Sequence, residues 1–251
     1  MTQLIKSLVA LALSVVVVHT VYSGYIIPAA TASIQEAAIS GQSTPRNIFI
    51  ILKDFEQELC LILMFWGGYL MATKCIVLLN ERYLFNIDFL EKIHDSEGEL
   101  KDALISLEEL PAEVKESPLV QTLIGSVRRF LITNDVQNTS DAIETSVESL
   151  AVKLEAGNSM IRYLIWAIPS IGFIGTVRGI GQALSMADEA LAGDIAGMTN
   201  SLGVAFNSTL VALLISILMM FFLHQLQNLQ DSCVVDTRDY CEKFLLNRIG
   251  N

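Results

Sequence analysis

The stretch Leu202-Gly-Val-Ala-Phe-Asn-Ser-Thr-Leu-Val-Ala-Leu-Leu-Ile-Ser-Ile-Leu-Met-Met-Phe-Phe-Leu223 decides the fold. Its 22 residues carry no charge. A helix of that length rises about 33 Å, enough to cross the roughly 30 Å hydrocarbon core of a bilayer. Three similar blocks precede it. Tyr163–Leu184 is interrupted by Arg178, Leu59–Leu79 holds Trp66-Gly67-Gly68 and Lys74, and Leu8–Ile27 holds His19, Thr20 and Tyr22.

The composition agrees. Apolar residues make up 52% of the 251 and charged residues only 17%, and mean hydropathy is +0.50, against roughly 25% charged in an average soluble domain. The net charge of −11 lacks the basic footprint of a nucleic-acid binder, so no nucleic-acid partner is expected. Cys60, Cys75, Cys233 and Cys241 form no CxxC pair, and His19, His94 and His224 stand far apart. Neither a metal motif nor a nucleophile–base pair is written here, and the expectation is a protein that is not an enzyme and needs no cofactor.

The expected fold is an all-α integral membrane protein with four transmembrane helices and a long helical cytoplasmic insert. Three spans remain if the first block is a cleaved signal, since Lys6, the Val-rich run and Ala30-Thr31-Ala32 resemble the parts of a signal peptide. An uncleaved span is the better reading, because the apolar run exceeds the usual length of a signal core. Orientation follows from Lys and Arg. The 185–201 connection has Asp188, Glu189 and Asp194 but no Lys or Arg, so it is external. Segment 80–160, with 7 Lys/Arg against 16 Asp/Glu, and the tail with Arg238, Lys243 and Arg248 are then internal.

Five regions result: 1–47, the first span and an external loop; 48–79, an amphipathic helix and the second span; 80–160, an acidic cytoplasmic region; 161–226, spans three and four; and 227–251, a C-terminal helix. The loop begins at Pro28. In Asn47–Glu58 the residues Ile48, Ile51, Leu52 and Phe55 make an apolar stripe, with Asp54, Glu56 and Glu58 off it. From Leu119 one or two long helices lead to the third span, with Val147, Leu150, Ala151 and Leu154 as an apolar stripe and Asp141, Glu144, Glu148 and Glu155 on a solvated face.

Two spans carry unusual residues. Gly172, Gly175 and Gly179 follow Pro169 at a spacing that lets helix backbones approach closely in a membrane. Near the outer end of the fourth span, Gly203 precedes Asn207, Ser208 and Thr209, three hydrogen-bonding side chains in succession. Thr176 lies about 12 Å below the outer end of the third helix and Thr209 about 10 Å below that of the fourth, so their hydroxyls can share one level. Neither span holds an Asp or Glu. An ion path along them would take its carboxylate from another chain.

The run Pro169-Ser-Ile-Gly-Phe-Ile-Gly-Thr-Val-Arg-Gly-Ile180 closely resembles the signature of the MotA/TolQ/ExbB proton-channel family, and Ala205-Phe-Asn-Ser-Thr-Leu-Val-Ala-Leu213 is similar to that family's last span. The resemblance covers roughly residues 160–225. It implies a homopentamer in the bacterial inner membrane, around a MotB/TolR/ExbD-like single-span subunit whose membrane Asp takes up H⁺ or Na⁺ beside Thr176 and Thr209. Ion flow would drive rotation. Ser208 and Asn207 join the ion path in this reading, and Pro169, Gly172, Gly175, Gly179 and Gly203 shape the pore wall and the helix packing. The chain departs from the family pattern at Arg178, a gate or an anchor, with Asp188 or Glu189 as its candidate partner, and at Val204, where ExbB-like proteins carry Glu. His19 is read as a proton relay or as hydrogen-bonded packing. The alternative to a motor subunit is a membrane scaffold that recruits cytoplasmic partners. A secondary transporter would be expected to show an internal repeat, and the two halves look different.

Overall fold

All four apolar blocks lie in long helices. The computed structural model describes residues 2–39, 47–90 and 97–250, and His94 lies outside them. The order is α1 (Thr2–Val21), a π-helical turn (Tyr22–Ile26), α2 (Ile27–Ile39), α3 (Ile48–Leu52), α4 (Phe55–Glu81), a 3₁₀ turn (Arg82–Asn86), α5 (Glu97–Glu108), α6 (Ala112–Lys115), α7 (Pro118–Thr133), α8 (Val136–Ala156), α9 (Ser159–Ser185), α10 (Ala187–Leu191), α11 (Ala196–Cys241), a second π-helical turn (Glu242–Leu246) and α12 (Asn247–Ile249). No strand occurs among the described residues. The stretches Leu4–Ala37, Phe55–Asn86, Val136–Ser185 and Ala196–Ile249 are each long and apolar enough to cross a membrane.

The chain divides into two units. The first comprises Met1–Ala72 and Met160–Leu223, the second Thr73–Ser159 and His224–Asn251. In the first unit α9 and α11 meet along the small residues, α4 lies against both, and α1 joins α4 through Trp66, whose indole N–H reaches the Ser7 carbonyl at 3.1 Å. Val18, Tyr22, Ile26 and Ile62 make a small apolar cluster there.

The second unit has an apolar core. Leu119, Val120, Leu123, Ile124, Val127 and Phe130 of α7 pack with Ile143 and Val147 of α8 and with Tyr240, Cys241 and Leu245. Each large apolar side chain so buried contributes roughly 1.5–3 kcal/mol before the entropy of ordering it is subtracted. Asp141, Glu144, Glu148 and Glu155 are exposed, as their spacing predicts. The expected stripe on α8 is met at Val147, Leu150 and Leu154 but not at Ala151, which is exposed.

Two expectations change, and a third takes its two-helix form. The run from Pro28 continues the first helix as far as Ile39 rather than forming a loop: the π-helical turn Tyr22–Ile26 lies directly before the proline, and the Ala-rich stretch after it favours the helix. The path from Leu119 is broken at Asn134, whose φ of 46° ends α7 in the left-handed region, and Asp135 then caps α8 by accepting from the Gln137 N–H. Asn47–Glu58 is not one amphipathic helix. Asn47 caps α3, which stops at Leu52, and α4 starts afresh at Phe55. The break turns the polar side inward: Ile48 and Phe55 are 63% and 69% exposed, whereas Glu56 and Gln57 are buried.

Candidate functional site

Pro169 sits inside α9, where it removes the N–H that would satisfy the Ile165 carbonyl. Ser216 of α11 supplies the missing donor at 3.0 Å. The lost helical hydrogen bond thus becomes an interhelical one. This serine is one that sequence reading missed.

One to three turns further along, the glycines bring the two helices together. A Cβ on Gly172 would lie 2.5 Å from the Ala212 Cβ and 3.0 Å from the Ser208 carbonyl oxygen. On Gly179 it would meet the Ala205 nitrogen and the Ser201 carbonyl oxygen, both at 2.8 Å. Only hydrogen fits at these positions. Gly203 differs, because a Cβ there would meet nothing within 4 Å, so it takes no part in packing within this chain.

That approach puts the two threonines in contact. Thr176 Oγ1 and Thr209 Oγ1 are hydrogen-bonded to each other. Thr176 also reaches the Ala205 carbonyl at 3.0 Å and the Gly172 carbonyl at 3.3 Å, and Thr209 reaches the same Gly172 carbonyl at 3.3 Å. Each hydroxyl has one proton to donate and several acceptors within reach. The pair therefore rearranges its hydrogen bonds by rotating O–H groups alone, the property required of a hydroxyl lining an ion path. Ser208 donates to Val204 O and accepts from the Gln57 amide at 3.3 Å. Asn207 is half-buried and makes none of the hydrogen bonds of this group.

Arg178 does not pair with Asp188 or Glu189. Its Nε and Nη2 donate to the two oxygens of Glu56 at 2.7 and 2.8 Å, a bidentate pair. The Glu56 side chain is 7% exposed and that of Arg178 is 41% exposed. Gly175 makes the room, since a Cβ there would lie 3.2 Å from Glu56 Cγ and 2.5 Å from Ser208 Cβ. A carboxylate thus stands beside the third and fourth spans in the same chain, at the start of α4, where both of its oxygens are bound by Arg178. Two residues on, Glu58 Oε1 lies 2.8 Å from His19 Nδ1, so the His19 side chain is hydrogen-bonded.

Comparison with known proteins bears on one region. Residues 115–238 match the family model of the MotA/TolQ/ExbB proton channel family. This region belongs to that family. The MotA/TolQ/ExbB match contains Pro169, the three packing glycines, Thr176, Arg178, Ser208, Thr209 and Ser216, whereas His19, Asp54, Glu56, Gln57 and Glu58 precede it. No curated protein and no solved structure matches the chain. Four apolar helices and a MotA/TolQ/ExbB region together make this a multi-pass membrane protein.

Proposed function

We propose that this chain is the pore-forming subunit of a proton-driven rotary motor in the bacterial inner membrane, with both termini in the cytoplasm. Five copies surround a MotB/TolR/ExbD-like single-span subunit, whose membrane Asp exchanges protons beside the Thr176–Thr209 pair. The contact between those two hydroxyls is the observation that carries the reading. An ion path needs polar groups at membrane depth that are free to reorganise, and this pair sits where two largely apolar helices meet.

Other features support it. On the single chain α9 exposes Phe173 and Val177, and α11 exposes Phe206 and Leu210, apolar surface suited to neighbouring subunits and lipid. The reading has the chain move an ion rather than transform a substrate, so it is neither an enzyme nor dependent on a cofactor.

The test is co-expression with the candidate single-span partner, native mass spectrometry of the complex, and proton flux after reconstitution into vesicles. Thr176→Val is expected to keep a five-to-two assembly and abolish flux. Undiminished flux removes the role of the pair, and an oligomer indifferent to the partner moves the scaffold reading to the front.

A further inference from the structure

Among the described residues, three buried side-chain oxygens or nitrogens lack a hydrogen-bond partner: Tyr22 Oη, Asp54 Oδ2 and Gln57 Oε1. They belong to one neighbourhood. Asp54 and Gln57 are three residues apart, and the carboxylates of Glu58 and Asp54 both act on the Tyr22 hydroxyl. Gln57 is 0% exposed and Tyr22 is 1% exposed. Buried polar groups are nearly always paired, so three unpaired ones gathered at one place point to a site that binds something.

The three nearby carboxylates are not equivalent. Glu56 is held by both donors of Arg178, and Glu58 by His19. Asp54 keeps a buried oxygen with no donor. It lies between the end of α3 and the start of α4, where Lys53, Arg178 and Glu56 act on it. Burial pushes its carboxyl up, against the lowering effect of Lys53 and Arg178. A carboxyl oxygen that is buried and unpaired favours the proton-bearing form. The orphan oxygens of Gln57 and Tyr22 accept hydrogen bonds from whatever carries that proton. No group of three or more His, Cys, Asp or Glu arranged to hold a metal ion occurs among the described residues.

We propose that His19, Tyr22, Asp54, Gln57 and Glu58 form a proton-uptake site belonging to this subunit, which loads protons from the outer side and passes them to the Thr176–Thr209 pair. Asp54 takes up the proton on Oδ2, where the protonated carboxyl donates to the unpaired Gln57 Oε1, and gives up the same proton when the carboxylate re-forms; the Gln57 amide supplies the acceptor and carries no proton itself. The amide of Gln57 is bonded to Ser208, the residue next to Thr209. His19 stands at the exposed side of the cluster, its side chain 69% exposed and its Nδ1 2.8 Å from Glu58 Oε1. Glu56, neutralised by Arg178, separates the uptake site from the threonines without competing for the proton. The inference rests on the reading of the chain as a proton-conducting subunit.

The test uses the full complex with its single-span partner in vesicles and compares wild type, Asp54→Asn, Glu58→Gln and Thr176→Val. Asp54→Asn is expected to cut proton flux at least tenfold while the five-to-two stoichiometry persists. It is also expected to raise thermal stability at neutral pH, because it fixes the uncharged form that burial favours. Glu58→Gln, which leaves Asp54, Gln57 and Tyr22 in place, is expected to lower flux less than Asp54→Asn does. In acid-minus-neutral infrared difference spectra, a protonated-carboxyl band present in wild type disappears in Asp54→Asn. Wild-type flux from Asp54→Asn, with Thr176→Val inactive, overturns the uptake site and leaves the motor reading intact. A wild-type complex that conducts nothing overturns both.

Discussion

Ser216 donates to the carbonyl of Ile165, the acceptor that Pro169 leaves without its helical N–H. A proline in a membrane helix is tolerated when a neighbouring helix satisfies the freed carbonyl, and here the repair also ties α9 to α11. Ser216→Ala is expected to leave that carbonyl buried and unpaired, at a cost of about 1–3 kcal/mol. Pro169→Ala restores the helical donor, so the double variant should recover most of the loss. Thermal unfolding of the four proteins in detergent checks this, and equal losses in the single and double variants would show that Ser216 acts elsewhere.

The glycines sort by what surrounds them. At Gly172 and Gly179 an added methyl would meet backbone atoms of α11, which cannot step aside. Gly172→Ala and Gly179→Ala should therefore each cost about 1–3 kcal/mol and reduce flux by parting the threonines. At Gly67 the obstacle is the tip of Met219, a flexible side chain that moves at small cost. Gly125→Ala, on the exposed side of α7 with open space around it, should stabilise by about 0.5–1 kcal/mol. Melting curves of the four variants give the ranking.

The pair between Arg178 and Glu56 is unequal. Glu56 is buried and Arg178 has a route to water. Arg178→Gln leaves a buried carboxylate without its partner and is expected to cost on the order of 3 kcal/mol. Glu56→Gln leaves an arginine that can swing outward and should cost less. The double variant should recover most of the larger loss. Thermal unfolding of wild type, the two single variants and the double variant checks the order, and equal losses at Arg178→Gln and Glu56→Gln would show that the two sides of the pair are equivalent.

What could be read in the sequence was whatever depends on helix rise alone. Twenty-odd apolar residues span a bilayer, and counting residues from the ends of two antiparallel helices put Thr176 and Thr209 at one level; the structure has them in contact. The partner of Arg178 lay 122 residues away in sequence, beyond any local pattern. A signal for it existed: an arginine in a span needs a carboxylate, and Glu56 stands three residues before the second apolar block. It was obscured because periodicity assigns the apolar side of a helix to the interior. Around Asn47–Glu58 the break at Lys53-Asp54 reverses that assignment, exposing Phe55 and burying Glu56 and Gln57. Asn134-Asp135 likewise marked the break between α7 and α8, as a residue tolerant of positive φ followed by a strong cap.

The second unit makes an independent prediction about alkaline pH. Burial pushes the Tyr240 hydroxyl up to about 12 from an ordinary 10.0, and pushes the Cys241 thiol up to about 12 from 9.0. Both groups are held protonated in the folded chain, where Tyr240 donates to the Ile87 carbonyl at 2.7 Å and accepts from the Phe89 N–H at 3.0 Å. A folded value above the unfolded one gives stability that is complete below the unfolded value and lost as pH rises through the folded one. Stability of this unit should therefore be flat to about pH 9, fall as unfolded Cys241 and then unfolded Tyr240 ionise, and level off only above about pH 12. Cys241→Ala should remove its share of the decline that begins near pH 9, leaving the share of Cys233, whose thiol burial also pushes up. Tyr240→Phe should remove the part that begins near pH 10, with a lower plateau because the Ile87 carbonyl and Phe89 N–H lose their partner. Melting temperature of the full chain in detergent between pH 8 and 11 checks the slopes, and a decline unchanged in both variants would assign it to other groups.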